Sequence, residues 1–434
     1  MRLGAAVAAG LVLLAGTAGC SHDTPAAQSG CDAYAGYLGH AGTSVSMFSS
    51  IRGLGVQQAE QSWAEFEDCT GISIRFEGTD EFEAELRKRV EKGTPPDVAI
   101  LPQPGMLSDL ARAGAVKPAS DQVKANVSKW FSPDWSRYGT VDDVLYAAPY
   151  TANVKSFVWY SPKLFSARGY AVPNTWAEMI ALSDRIAADG MKPWCVGIES
   201  GAATGWPATD WLEDVMLREF GADVYDQWVG HKIPFDDRRV AQALDRVGQI
   251  VRNPAYVQGG VKSIVTTGFK EAGLPVLERK CAMYRQASFY ADEWPKSATI
   301  APDGDIFAFA LPPVDPAKGR QLLVAGEFVG AFTERPEVQA VTAYLSTPDW
   351  ANERARIGGA VSANKGFDPA NAQTSVEKLS AGLLTDASVT VRFDGSDLMP
   401  AAVGAGTFWT GMTEWVKGAD TEKTLHHIET TWPR

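Results

Sequence analysis

The order of strand-like and helical segments near the start of the folded region constrains the architecture more than any other feature. Runs at 45–49, 72–76 and 97–101 have the apolar or alternating character of strands, and helical patterns separate them. The first of those helices ends at Gly71, and the second begins at Asp80. This order predicts an α/β fold with a doubly wound, mainly parallel sheet, which binds ligands beyond the carboxyl ends of its strands.

The residues that follow these strands are candidate ligands. Ser50 and Arg52 follow the first strand, and Gln103 follows the third. Each also fits a solvated loop, and Asp80 after the second strand fits a helix cap better than a ligand. If the strand order is right, these side chains lie at one edge of the sheet.

A second α/β unit begins after Tyr150. Its strand-like runs at 156–160 and 194–198 flank a helix whose start carries the capping-box pair Thr175 and Glu178. A chain of 434 residues is too long for one ordinary core. We therefore expect two lobes, each a mainly parallel sheet flanked by helices.

The strongest functional signal is the stretch ATGWPATDW, which contains Trp206 and Asp210. A pyranose has an apolar face that packs on an indole and hydroxyls that donate to a carboxylate. With 14 tryptophans in the chain, ordinary helix packing is the competing interpretation. Gln286 and Phe289 follow a later strand-like run, and Trp409 follows a glycine-rich approach to a helix.

Charge and motif content exclude several classes of function. The net charge is −12, from 52 acidic and 40 basic residues, which argues against a nucleic-acid or anionic-membrane surface. The sequence has no CxxC and only five histidines, so we predict no metal site and no cofactor. It also lacks a nucleophile elbow. Asp210 with Glu213 or Asp214 keeps a secreted glycoside hydrolase as an alternative.

Residues 1–19 resemble the signal peptide of a bacterial lipoprotein. An uncharged run follows Arg2 and ends in small residues before Cys20, and no later stretch is long and apolar enough to span a membrane. The resemblance implies an extracytoplasmic protein anchored by lipidated Cys20, with 20–42 as a flexible tether. Cleavage of an ordinary signal peptide nearby is the alternative.

The other four cysteines form an even set that an oxidising compartment would pair. Three pairings are possible. We favour Cys31–Cys69, which would staple the N-terminal arm to a helix, and Cys195–Cys281, which would stay within the second lobe. Four unpaired buried thiols are the alternative.

Several segments resemble the bacterial extracellular solute-binding proteins of the sugar-binding type, which feed ABC importers. These segments are WAEFEDCTGISIRFE, RVEKGTPPDVAI, VPNTWAEM and SDLMPAAVGAGTFW. The resemblance covers nearly the whole mature chain, and GWPATDW and PQPG look most like the α-glucoside binders. It implies a monomeric two-lobed clamp that closes on a mono- or oligosaccharide and delivers it to membrane permease subunits without catalysis. A sugar-binding sensor or adhesin remains an alternative.

The resemblance also implies lobe boundaries and site residues. The expected lobes are 43–149 plus 301–350 and 150–300 plus 351–434. Trp409 and Phe289 match sugar-stacking aromatics of maltose-binding members of the family, and Asn153 stands where those members have a carboxylate. The full set of candidate ligand-binding residues is Ser50, Arg52, Gln103, Tyr150, Asn153, Trp206, Asp210, Gln286, Phe289, Glu327, Arg392 and Trp409.

Overall fold

A computed structural model describes residues 30–433, so the predicted leader and Cys20 lie outside the described residues. The strands are β1 (Ser44–Ser49), β2 (Ser73–Gly78), β3 (Val98–Leu101), β4 (Thr140–Val141), β5 (Val144–Leu145), β6 (Ala147–Val154), β7 (Phe157–Tyr160), β8 (Lys192–Cys195), β9 (Cys281–Arg285), β10 (Phe307–Ala310), β11 (Arg320–Ala331) and β12 (Val389–Phe393).

The α-helices are α1 (Leu54–Thr70), α2 (Phe82–Glu91), α3 (Pro104–Arg112), α4 (Asp121–Trp130), α5 (Pro133–Tyr138), α6 (Pro162–Arg168), α7 (Trp176–Ala188), α8 (Trp206–Phe220), α9 (Ala222–Val229), α10 (Arg238–Val251), α11 (Phe269–Ala272), α12 (Pro336–Leu345), α13 (Pro348–Ile357), α14 (Ser375–Thr385), α15 (Gly395–Leu398), α16 (Trp409–Lys417) and α17 (Thr421–Glu429). Within residues 30–433, no helix combines the length and apolarity needed to cross a bilayer.

The first sheet has six strands in the order β12-β11-β3-β1-β2, with β6 also paired to β11. The predicted strand–helix–strand order is confirmed here, because β1 pairs in parallel with both β2 and β3. The long strand β11 runs antiparallel to β3 and β6 and parallel to β12. The two-lobed α/β architecture predicted from the sequence is therefore confirmed.

The second sheet has four strands in the order β10-β7-β9-β8, and only its β8–β9 pair is parallel. The sequence predicted a mainly parallel sheet in this lobe as well. The difference has a topological cause. The chain enters β7 directly from the first sheet, and it returns to the first sheet after β10. No helical crossover therefore makes these two strands parallel to their neighbours.

The chain crosses between the two sheets three times within the described residues. The crossings are 155–156, 311–319 and the segment after β12 that leads to α16. Sheet membership departs from the predicted lobe boundaries at three strands. Strand β6 continues past residue 149 to Val154 within the first sheet. Phe307–Ala310 pairs in the second sheet rather than the first, and Val389–Phe393 pairs in the first rather than the second.

Helix α8 lies at the centre of the second lobe. Gly205 precedes it, Pro207 occupies its first turn, where the missing N–H is tolerated, and Gly221 ends it. Every residue from Pro207 to Arg218 is buried, including five charged or polar ones. Trp211 of this helix packs edge-on against Trp194 at 5.4 Å, so one of the two tryptophans in ATGWPATDW is a core residue.

Both favoured disulfides are present in the structure. Cys31–Cys69 joins the 3-10 helix Cys31–Tyr37 to α1, with Cα atoms 5.4 Å apart. Cys195–Cys281 joins the neighbouring strands β8 and β9 across 5.6 Å. The second bond therefore closes a loop through the core of the second lobe.

Replacing both Cys195 and Cys281 with alanine should lower the free energy of unfolding by about 2–5 kcal/mol, because it frees a closed loop of 86 residues in the unfolded chain. Urea unfolding measures the change. The matched variant, Cys31→Ala with Cys69→Ala, should cost less, since its loop spans 38 residues. Equal costs would show that loop closure is not what the second bond contributes.

Candidate functional site

A cavity of about 610 Å³ opens between the two lobes. Residues from both sheets line it, at the strand ends and helix starts where the sequence places candidate ligands. Its volume is in the range of ligand pockets. Nine of the twelve candidates line it: Ser50, Arg52, Gln103, Tyr150, Asn153, Trp206, Phe289, Glu327 and Trp409.

One wall of the cavity is aromatic. The Trp206 ring lies 5.1 Å from Phe269 and 6.0 Å from Phe289, measured between ring centroids. The Lys155 ammonium lies 4.7 Å from the Trp206 ring, within cation–π range. Trp409 lines the same cavity, and its indole N–H finds no acceptor among the described residues. This wall can pack against an apolar ligand face and donate a hydrogen bond.

Gly205 brings two parts of this wall together. Its φ is +115°, and a Cβ at this position would lie 2.1 Å from the Trp409 carbonyl oxygen. Any other residue would therefore push the start of α8 away from the start of α16. A π-helical turn, Val403–Phe408, leads directly into Trp409. Such turns often occur at functional sites.

The first lobe supplies the opposite, polar wall. Gln103 immediately precedes α3 and is buried, while Arg52 forms an ion pair with Asp80. Asn153 accepts a hydrogen bond from Ser288 at 3.4 Å, so it is already linked to the second lobe. Burial raises the pKa of Glu327 to about 7. This wall therefore offers both donors and acceptors to a polar ligand.

The structure places the other three candidates away from the cavity. Asp210 is fully buried and bonded to Lys155 and Arg285. Gln286 is fully buried, where its side chain bonds to the Tyr284 hydroxyl and the Ala287 N–H. Arg392 pairs with Asp226 at 2.7 Å on α9. Each of these side chains forms an ion pair or hydrogen bonds within the protein, so its polar atoms are not available to a ligand.

Asp210 belongs to a buried network of charges built on α8. The Arg285 guanidinium contacts Asp210 at 2.8 Å and Asp214 at 2.5 Å, and Arg218 also binds Asp214. Lys155 bridges Asp210 at 3.1 Å and Asp394 at 2.8 Å. Three cationic side chains thus face the carboxylates of three aspartates.

The network contacts all three crossings between the lobes. Lys155 lies in the first crossing, and its neighbour Ser156 donates to Asp214 at 2.6 Å. Arg218 donates to the carbonyl oxygens of Leu311 and Gln321, which bound the second crossing. The backbone N–H groups of Gly395 and Ser396, which follow β12 in the third crossing, donate to Glu213. Helix α8 therefore contacts each of the three crossings in the described part of the chain.

Glu213 and Asp394 differ in protonation. Burial raises the pKa of Glu213 well above its usual range, and the nearby charge of Asp394 adds to the shift. Burial alone would raise the pKa of Asp394 as well. The positive charge of Lys155 outweighs burial and holds the pKa of Asp394 below its usual range. Glu213 therefore keeps its proton while Asp394 is ionised.

Carboxylate oxygens of Asp210, Glu213 and Asp394 lie within 4.8 Å of one another, a spacing that would suit a cation. The ammonium of Lys155 already contacts two of these groups. The protein thus supplies its own cation, and we assign no metal site to the cluster.

Sequence reasoning missed several charged residues of the cavity, among them Lys155, Asp292, Arg354 and Asp394. One signal was available for Lys155, which stands between strand-like apolar runs in TANVKSFVWY. A lysine in that setting must find a partner when it is buried. Nothing local marks Arg354 or Asp292, because their surroundings come from distant parts of the chain.

Comparisons with known proteins agree with this architecture. The family model for the bacterial extracellular solute-binding proteins matches residues 52–352. The osmoprotective compounds-binding protein GgtB of Synechocystis sp. is 41% identical over 87% of this chain and 90% of its own length. The alpha-glucosides-binding periplasmic protein AglE of Rhizobium meliloti is 38% identical over 90% of this chain and 87% of its own.

Solved structures show the same fold at lower identity. The bacterial solute receptor AcbH, which prefers β-D-galactopyranose, has a TM-score of 0.75 at 18% identity and covers 91% of this chain and 97% of its own. Maltose-bound MalE3 of T. maritima has a TM-score of 0.69 at 16% identity, covering 89% of this chain and 98% of its own. These likenesses concern the fold alone.

Asp214→Ala should lower the free energy of unfolding by about 3–5 kcal/mol, because it leaves two buried guanidinium groups without their shared carboxylate. The control, Asp226→Ala, breaks a partly exposed pair and should cost under about 1 kcal/mol. Urea unfolding compares the two variants. Similar costs would show that the buried network does not hold the crossings together.

Proposed function

Because the chain belongs to the family of bacterial extracellular solute-binding proteins, we propose that it captures a small carbohydrate, an α-glucoside, for an ABC importer. In this proposal the sugar bridges the two lobes, and the closed, loaded protein delivers it to membrane permease subunits. No covalent step is involved.

The observation that carries the proposal is the pairing of an aromatic wall with a polar wall across one cavity. Trp206, Phe289 and Trp409 can cover the C–H face of a pyranose. Gln103 and Glu327 on the other lobe can exchange hydrogen bonds with its hydroxyls. Such a site matches both surfaces of a sugar ring at once.

Closure of the lobes would follow from this arrangement. A ligand that touches both walls stabilises only the conformation in which both are close, so it shifts the population towards the closed state. The crossings are the natural hinge, since they are the connections between the two sheets in the described chain. Hinge motions of this kind use a few residues that connect elements.

The choice of an α-glucoside is supported by AglE, whose name records binding of alpha-glucosides. The alignment spans most of both chains. GgtB, which is named for osmoprotective compounds, widens the set of small ligands worth testing.

The main alternative, a secreted glycoside hydrolase, would need two accessible carboxylates flanking the scissile bond. The acids that the sequence offered for this role were Asp210, Glu213 and Asp214. All three are fully buried and occupied by Lys155, Arg285 or backbone N–H groups. Their burial supports a binding protein over a hydrolase.

We also propose that the mature protein is a monomer tethered outside the cell membrane through Cys20. The uncharged run that ends in small residues before Cys20 supports the tether. Mass spectrometry of the membrane fraction would detect a lipid-modified Cys20, and unmodified secreted protein would contradict the anchor.

A sugar panel tests the function directly. Maltose, trehalose and sucrose are added separately, and both melting temperature and product formation are followed. A ligand that binds the folded state raises the melting temperature by mass action. A rise without turnover supports the proposal, whereas hydrolysis products would replace it with the enzyme alternative.

Trp206→Ala and Trp409→Ala should each weaken binding of the responding sugar by about 10- to 100-fold, because each removes a stacking surface. Isothermal titration calorimetry measures the affinity, and thermal unfolding confirms that the variants remain folded. Trp130→Ala, at a half-buried tryptophan of α4 outside the cavity, is the matched control. Wild-type affinity in both cavity variants would remove these rings from the site.

A further inference from the structure

A β-bulge places three polar side chains of the first lobe side by side. In the ladder between β6 and β11, Gly326 pairs with Ala152 and Phe328 with Pro149. Two residues, Tyr150 and Thr151, therefore stand opposite the single residue Glu327. A bulge of this kind re-aims side chains and is common beside binding sites.

Glycine makes the close approach at the bulge possible. A Cβ on Gly326 would lie 2.3 Å from the Thr151 carbonyl oxygen, closer than any real contact. The Thr151 hydroxyl donates to the Glu327 carboxylate. Gly326 therefore permits the close approach of the two strands, and the Thr151 hydroxyl helps to hold the Glu327 carboxylate in place.

Tyr150 is fixed and incompletely bonded. It is 1% exposed, and its ring stacks on Trp350 with centroids 4.2 Å apart. Tyr150 lines the cavity, and its buried hydroxyl has no hydrogen-bond partner among the described residues. A buried polar group without a partner is destabilising, so a ligand that supplies one gains affinity.

The surroundings of Glu327 contain few charges that could neutralise it. Arg354 on α13 is the cation that faces it, and its guanidinium is bonded to the Gly358 carbonyl and, at 3.5 Å, to the Gln58 amide oxygen. Asp292 faces Arg354 from the 3-10 helix Ser288–Glu293, as Glu377 does from α14. Among the described residues, Glu327 has no ion pair within 4 Å.

We propose that Tyr150 and Glu327 bind opposite sides of one ligand hydroxyl, Tyr150 donating to its oxygen and Glu327 accepting its hydrogen, and that Glu327 releases a proton on binding. The inference rests on the proposed sugar-binding function and assigns specificity within it. The pair selects a neutral ligand with a free hydroxyl at this point and rejects a deoxy or anionic sugar.

The direction of proton exchange follows from the hydrogen bond. Burial holds the pKa of Glu327 at about 7 in the free protein. A ligand hydroxyl that donates to the ionised carboxylate favours that form and lowers the pKa in the complex. Binding near pH 7 therefore releases a proton, and affinity rises as the pH increases towards 7 and levels off above it.

The test is calorimetry of the responding sugar at pH 7 in two buffers with different ionisation enthalpies. Wild-type protein should release about half a proton per sugar, because a group with a pKa of about 7 is half protonated there. Glu327→Gln should abolish the buffer dependence. Glu60→Gln, which removes the same charge from an exposed site on α1, should keep it.

Tyr150→Phe supplies a second, independent measurement. It should weaken sugar binding by about three- to tenfold while the melting temperature of the free protein is retained, because the lost hydroxyl has no partner within the protein. Release of a proton that persists in Glu327→Gln, or an unchanged affinity in Tyr150→Phe, would overturn the inference. If no sugar binds the wild-type protein, the proposed function itself fails.

Discussion

The structure depends on the buried charge network of α8. Its aspartates and their cationic partners could not be buried singly, because an isolated charge in the interior is strongly destabilising. They are buried together because the charges converge from several parts of the chain: Asp210, Asp214 and Arg218 from α8, Lys155 from the first crossing, Arg285 from β9 and Asp394 just after β12. The network thereby fixes how the two lobes are connected.

The same network reaches the cavity between the lobes. Lys155 and Asp394 line it, and the Lys155 ammonium lies over the ring of Trp206. Trp206 in turn is the first residue of α8, whose interior face carries the aspartates. The cavity wall and the connections between the lobes therefore share side chains, so a substitution at Lys155 or Asp394 alters both through direct contacts.

Much of the fold was predictable because it depends on local patterns. The strand–helix alternation gave the core of the first sheet, and the cavity contains Trp206, Phe289 and Trp409. Asp210 shows where such reasoning stops. In the sequence, a carboxylate beside a tryptophan resembles a sugar-binding residue. The role of Asp210 is decided instead by its ion pairs with Lys155 and Arg285, which are 55 and 75 residues away in the chain. The lobe boundaries were also harder to predict, because β10 and β12 pair with strands that are distant in the sequence.

Gly205 has a consequence for how this site can diversify. Because Gly205 lets the main chain before Trp206 approach the Trp409 carbonyl, the starts of α8 and α16 stay together while substitutions among Phe269, Phe289 and the polar wall reshape the cavity. The shape of the cavity can thus change one side chain at a time around a fixed main-chain junction.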